Sequence, residues 1–188
     1  MSKYLLSHGH LVLDGQREYT DGAILFENNK ILEIYPHSNK IEFDSITQEI
    51  NLRGQLVFPV STYKLGLKDC VIFNPNRKDA LKELVRLSNG NDYVLVRDEG
   101  DLEMLLMIIK NISRHRIILN SDNYQHTLKK LHDNGICYSD LSLMICGNIA
   151  KASGNDCFGV KGNTVNFVVV DKDFNTIFEI SDGEFIYD

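Results

Sequence analysis

Two kinds of periodicity share this chain, and their order restricts the fold more than any other feature. From residue 1 to about 58 the apolar runs are short and bounded by turn residues. Leu11-Val12-Leu13 precedes Asp14-Gly15, and Ala23-Ile24-Leu25-Phe26 and Lys30-Ile31-Leu32-Glu33-Ile34 flank Glu27-Asn28-Asn29. Asparagine tolerates positive φ, so this pair predicts a hairpin. Glu49-Ile50-Asn51-Leu52 alternates, Arg53-Gly54-Gln55 turns, and Leu56-Val57-Phe58 leads to Pro59. The C-terminal end repeats the pattern: Asn166 to Asp171, a turn at Lys172-Asp173-Phe174-Asn175, Thr176 to Ile180, then Phe185-Ile186-Tyr187 after Ser181-Asp182-Gly183-Glu184. Such spacing reads as an antiparallel, sandwich-like unit.

The middle alternates strands with helices. Cys70-Val71-Ile72-Phe73, Tyr93-Val94-Leu95-Val96 and Arg116-Ile117-Ile118-Leu119 read as buried strands. Between and after them, helices are predicted over 78–87, 101–110, 126–133 and 138–152. In the first, Leu81, Leu84 and Val85 share the face expected to be buried. Asp101 and Glu103 near the start of the second, and Lys110 near its end, suit the helix dipole. Three strands in alternation with helices imply βαβ units and a parallel sheet. Strand-rich ends around such a middle imply one β-sandwich built from both termini, residues 1–60 and 156–188, with residues 67–153 inserted as an α/β domain.

Composition narrows the function classes. The 188 residues carry 20 Lys plus Arg and 26 Asp plus Glu, a net charge of -6. With a pI near 5.5, there is no basic footprint for nucleic acid and none for an acidic membrane surface. No apolar run approaches the ~18 residues of a spanning helix. The start lacks a signal-peptide core, so the expected location is cytoplasmic. Cys70, Cys137, Cys146 and Cys157 form no C-x-x-C pair. Such cysteines read as reduced, mostly buried thiols, with Cys146 a packing residue.

Several stretches carry a resemblance. Ile50-Asn51-Leu52-Arg53-Gly54-Gln55-Leu56-Val57-Phe58-Pro59 resembles the approach to barrel strand one of the metal-dependent amidohydrolase superfamily, most of all its N-acetylglucosamine-6-phosphate deacetylase family. Cys70-Val71-Ile72-Phe73-Asn74-Pro75 resembles that family's "T-H-L-F-N-A" strand. Tyr93 to Asp101 resembles its "I-x-D-G-x-H" strand, and His115 to Asp122 its "R-x-I-L-V-T-D-A" strand. Asn148-Ile149-Ala150-Lys151-Ala152-Ser153-Gly154 resembles the "N-P-A-x-x-x-G" helix end. Gly159 to Gly162, Asp171 to Asn175 and Ser181 to Glu184 resemble the closing hairpin. The resemblance implies an α/β plus β fold, with a truncated (β/α) barrel remnant set into the sandwich. A closed barrel takes ~250 residues. The stretch between Gly66 and Asn148 has room for about three βα units at ~30 residues each.

The same comparison locates what is missing. Where the family has "D-x-H-x-H-G" after Pro59, this chain has Val60-Ser61-Thr62-Tyr63-Lys64-Leu65-Gly66, so Tyr63 and Leu65 replace histidines. The strand-six histidine corresponds to Val71 and the strand-seven one to Asp101. The segment holding the family's metal-binding glutamate has no counterpart. Tyr, Leu and Val do not supply the three good ligands that a Zn²⁺ site needs.

Two positions match family functional residues. Asp122 stands where the family has its metal-linked acid/base; alternatively, within Ser121-Asp122-Asn123, it caps a turn. Asn74 matches the asparagine that helps hold the substrate phosphate; alternatively it forms an Asx turn before Pro75. His8-Gly9-His10 could present both rings to one ion on a regular strand, or simply face solvent on an edge strand. Arg114-His115-Arg116 suits the end of the preceding helix. No nucleotide or acyl-transfer motif is present. The first functional expectation is therefore a non-catalytic, amidohydrolase-like protein acting by binding or assembly, with no cofactor. The alternative is a reduced deacetylase using Zn²⁺ or Fe²⁺ on an N-acetyl sugar phosphate, within one chain or across a dimer interface. The expected partners are a second copy, through the α/β layer, and a small sugar-phosphate ligand.

Overall fold

The structure is a computed structural model of the chain. It describes residues 2–39, 41–42, 44–60, 70–74, 77–97, 102–120, 124–154 and 159–187. Five strands come first: β1 (Lys3–Val12), β2 (Glu18–Glu27), β3 (Lys30–Tyr35), β4 (Thr47–Asn51) and β5 (Leu56–Pro59). The middle runs β6 (Cys70–Phe73), α1 (Ala80–Ser88), β7 (Tyr93–Arg97), α2 (Leu102–Asn111), a 3₁₀ turn at Arg114–Arg116, β8 (Ile117–Asn120) and α3 (Tyr124–Asp133). One continuous helical rod then joins α4 (Tyr138–Ser142), a π-helical turn (Leu143–Gly147) and α5 (Asn148–Ala152). The chain closes with β9 (Phe167–Val170), β10 (Thr176–Ser181) and β11 (Glu184–Ile186). None of the described helices is long and apolar enough to cross a membrane.

Strands from both chain ends share one eight-stranded mixed sheet, in the order β11-β10-β9-β5-β1-β2-β3, with β4 also on β1. The β2–β3 hairpin forms across Asn28, whose φ is +52°, as its residue type allows. The all-antiparallel expectation needs correction. β4 runs parallel to the first half of β1 (Lys3 to Ser7), and β5 runs parallel to its second half at His10 and Leu11. The expected turn at Arg53-Gly54 is a kink rather than a reversal. It dips where β1 itself bulges at His8 and Gly9, and Leu52 N and Gly54 N donate to Ser7 O and His8 O. β3 already runs in β1's direction, so residues 36–46 form the crossover that a parallel return requires. The sheet's last strand comes back to its first: Phe185 lies 5.0 Å from Tyr4 and 6.1 Å from Phe26, ring centre to ring centre. An apolar core fills the space between, with Leu6, Ile24, Phe26, Val57, Phe167 and Phe178 among its members.

The middle strands form a three-stranded parallel sheet, β6-β7-β8. One face (Phe73, Val94, Val96, Ile117, Leu119) belongs to a core shared with α1, α2, α3 and the rod. On the other face, Leu95 and Ile118 pack with Ile149. These seven apolar residues are therefore buried, and the exposed apolar residue among the described ones of this sheet is Ile72, at 45%. The buried face of α1 differs from expectation. Ala80, Leu84 and Leu87 point inward, while Leu81 and Val85 are 61% and 62% exposed. Arg116 also does something other than end the preceding helix. It donates to Leu87 O at 2.9 Å and to Asp92 O at 2.9 Å, capping α1 instead. Arg114 pairs with Asp140 of α4. Of the cysteines, Cys146 is buried, whereas Cys70 is half-buried and Cys137 exposed; Cys157 lies outside the described residues.

The rod meets the mixed sheet at the β1–β2 turn. Asp14 Oδ1 accepts from Gln16 N and Arg17 N at 3.0 and 2.9 Å, and Oδ2 accepts from Arg17 Nε at 2.9 Å. Arg17 reaches on to Gly159 O at 3.1 Å, and Ser142 Oγ donates to Val12 O at 2.9 Å. A Cβ on Gly147 would lie 2.6 Å from Asp14 O. Backbone cannot yield there as a side-chain tip can, so the rod seats this closely because position 147 is bare. Gly147→Ala should improve intrinsic helix propensity yet destabilise the protein by roughly 1–3 kcal/mol through overpacking, measured by urea unfolding. Burial pushes the Asp14 carboxyl up, but the Arg17 and Gln16 amides and the Arg17 guanidinium outweigh it and hold it below its usual 3.8. A depressed pKa means stability present above about pH 4 and lost as pH falls through the folded value. Asp14→Asn should therefore lower stability near neutrality and flatten the acid limb of the stability–pH curve. Parallel curves for the two proteins across that limb would contradict this.

Candidate functional site

Cross-strand partners in a sheet present their side chains on one face. Phe58 pairs with Val168, and Val168 pairs with Glu179, so the three form a row across β5, β9 and β10. Opposite this row stand the first two turns of α3, carrying Tyr124, Gln125 and Leu128. The space between is a cleft of about 380 Å³, lined further by Pro59, Val60, Ile145, Val170 and Phe174. Small-molecule sites are concave, mostly apolar and carry few polar groups, commonly in this volume range.

Local chemistry explains the walls. The turn after β9 is wound around Asp171: Oδ1 accepts from Asp173 N at 2.8 Å and Asn175 N at 2.9 Å, and Oδ2 accepts from Asn175 Nδ2 at 2.9 Å. The Asn175 side chain first, then the two backbone amides, hold the Asp171 carboxyl below its usual value. This winding puts Phe174 at φ +64°, a costly conformation for an aromatic residue, and sends its ring inward. The ring lies 6.2 Å from Phe58, 5.6 Å from His132 and 6.0 Å from Tyr138, centre to centre. Gln125 Nε2 donates to Thr176 Oγ1, tying α3 to β10 beside the cleft. Among the described lining residues Glu179 alone brings a formal charge, and among the described residues its carboxylate has neither a hydrogen bond nor an ion pair.

The residues singled out from the sequence fall elsewhere. Asp122 lies outside the described residues, as do Tyr63, Leu65 and Asp101. Asn74 is exposed at the end of β6, away from the cleft lining, and its carbonyl accepts from Arg77 N at 3.4 Å. The two histidines of H-x-H are not on a regular strand. His8 has φ +53° at the bulge, and each ring engages its own carboxylate, His8 with Asp21 at 2.8 Å and His10 with Glu18 at 2.7 Å. His10 also packs edge-on against Tyr138 at 5.4 Å. The sequence reading missed Glu179 and Phe174. The signal for Phe174 was the Asp171-x-Asp173-x-Asn175 spacing; Glu179 gave none, since an acid on an alternating strand reads as a solvent-facing residue.

Of the positions that the resemblance aligns with metal ligands, the described one offers no ligand atom. Val71, at the strand-six histidine position, packs against the apolar core. Among the described residues no three His, Cys, Asp or Glu converge as a metal-holding group.

No family profile and no curated protein matches the sequence. Solved structures do. The N-acetylglucosamine-6-phosphate deacetylase of Pasteurella multocida superposes with a TM-score of 0.71 at 10% identity, spanning 99% of this chain and 100% of that one. The enzyme of the same description from Thermotoga maritima gives 0.64 at 9%, spanning 97% and 99%. The β-aspartyl dipeptidase of Fervidobacterium islandicum gives 0.56 at 9%, spanning 98% and 97%. At such identities the likeness is one of fold, and the fold is the one its motifs led us to expect.

An unpaired acid on an apolar floor contributes little to holding the fold together. Glu179→Gln should leave the urea midpoint within about 0.5 kcal/mol of the parent. A loss above about 1 kcal/mol would reveal a structural partner for this carboxylate.

Proposed function

We propose that this chain is a non-catalytic binding protein on an amidohydrolase-type scaffold, with the cleft between α3 and the mixed sheet as its ligand site. The observation that carries this reading is Val71. A strand position that must offer imidazole for metal chemistry offers an isopropyl group packed against the core. The sequence substitutions at Tyr63 and Leu65 support it, because neither side chain completes a hydrolytic metal centre. In this reading the mixed sheet is the sandwich of residues 1–60 and 156–188. Residues 67–153 are the barrel remnant of about three βα units. Fold alone does not carry an activity, so the deacetylase chemistry of the structural neighbours remains theirs.

Assembly belongs to the same proposal. A homodimer through the α/β layer would cover Leu81 and Val85, an exposed i, i+4 pair on the outer side of α1. Cyclic two-fold pairing is the commonest way to bury such residues.

The test is elemental analysis of purified protein together with a deacetylase assay on N-acetylglucosamine-6-phosphate. We expect less than about one tenth of a Zn²⁺ or Fe²⁺ per chain and no acetate release above the buffer rate. Near-stoichiometric metal with turnover that chelation abolishes would replace this reading with that of a reduced deacetylase.

A further inference from the structure

We propose that the cleft selects an apolar organic cation, a primary ammonium carried on an aryl or alkyl body. The inference rests on the cleft being the ligand site proposed above, and it adds the chemical class of what enters.

Charge decides the class. Among the described residues lining the cleft there is no Lys, Arg or His, so none of them compensates a phosphate or a carboxylate. Glu179 is present, half-buried, and unpaired among the described residues. A carboxylate partly withdrawn from water and lacking a partner favours a cation that brings its own donors. Gln125 is the other polar side chain with an amide in the lining, and its nitrogen is already committed to Thr176. A sugar phosphate, the ligand expected from the motifs, meets the wrong sign of charge here.

The remaining walls decide the body. Phe58, Val168 and Val170 form the floor beside Glu179, and Tyr124, Leu128 and Phe174 face or flank them. Aromatic faces within reach of an ammonium add attraction through the ring quadrupole, and the aliphatic walls take an apolar stem. A free inorganic cation would leave those walls wet. A polyhydroxylated amine would leave hydroxyl groups facing Val168 and Leu128 without partners, which costs affinity.

Isothermal titration calorimetry at pH 7 with three probes of one shape tests this. They are 2-phenylethylamine as its ammonium, 2-phenylethanol, and 3-phenylpropionate, each titrated into the parent and into Glu179→Gln. We expect saturable ammonium binding, about tenfold or more tighter than the alcohol, and weaker still or undetectable binding of the carboxylate. In Glu179→Gln the ammonium should fall to the affinity of the alcohol, while the alcohol itself is unchanged. Equal binding of ammonium and alcohol by the parent would overturn the cation inference and leave the cleft as a neutral ligand site. Unchanged ammonium preference in Glu179→Gln would overturn it too, by placing the ammonium elsewhere. Saturable binding by none of the three would remove the cleft reading as well. The comparison of probes on the parent protein stands whether or not the variant folds, and Glu179→Asp, with its shorter reach, should retain part of the preference.

Discussion

The seat of the Asp14 turn on the bare flank of Gly147 is the contact on which the two halves of this molecule depend. On one side lies the turn between β1 and β2, stiffened by the Asp14–Arg17 bonds and linked through Arg17 to Gly159. On the other lies the π-helical turn of the rod. One residue further along, Asn148 Nδ2 donates to Arg114 O and Ile117 O, both at 2.6 Å, and so ties the rod to the start of β8. The rod is thus held at both sides within about one helical turn. A π-helical turn adds a residue to the helix and shifts the side chains that follow. Here it lets Ser142 meet the mixed sheet and Asn148 meet the three-stranded one. Each bond is worth only about 1 kcal/mol net; the apolar residues around them supply the rest.

Much of this was legible in the sequence because it depends on near neighbours. The Asn28 hairpin, the three middle strands and the winding of residues 171–175 follow from residue types a few positions apart. What was not legible depended on distant partners. Helix α1 carries two overlapping apolar stripes, Leu81-Leu84-Val85 and Ala80-Leu84-Leu87, and either fits a 3.6-residue period. Packing against Phe73 and α2 selects the second. The direction of β4 and β5 was hidden because alternation fixes which face a side chain takes, not which way a strand runs. The cleft was hidden for the same reason: its row of Phe58, Val168 and Glu179 exists only once residues more than a hundred positions apart are in register.

Backbone fold and residue identity have separated in this chain. The backbone superposes on that of a deacetylase at about one identical residue in ten, since many apolar residues satisfy the same packing. Metal chemistry is less forgiving, because each ligand must be one of a few residue types at one place. Val71 meets the first requirement, packed against the core of the three-stranded sheet. The cleft, by contrast, needs only a sheet face, a helix end and one acid, all of which the retained architecture provides.

The pairing of β5 with β9 has a consequence for how the chain acquires its structure. Leu56 to Pro59 find their partners at Phe167 to Val170, so that edge of β5 stays open until roughly a hundred further residues have left the ribosome. Closing so long a loop carries an entropic cost before any contact rewards it, and such topologies fold slowly. For that interval Leu56-Val57-Phe58 is an apolar strand with one unsatisfied edge, the kind that captures neighbouring chains. Pro59 follows at once, and a proline has no amide hydrogen to extend such a ladder. The nascent chain therefore meets its greatest hazard of aggregation at this strand, and a proline at its end limits how far a wrong pairing can run.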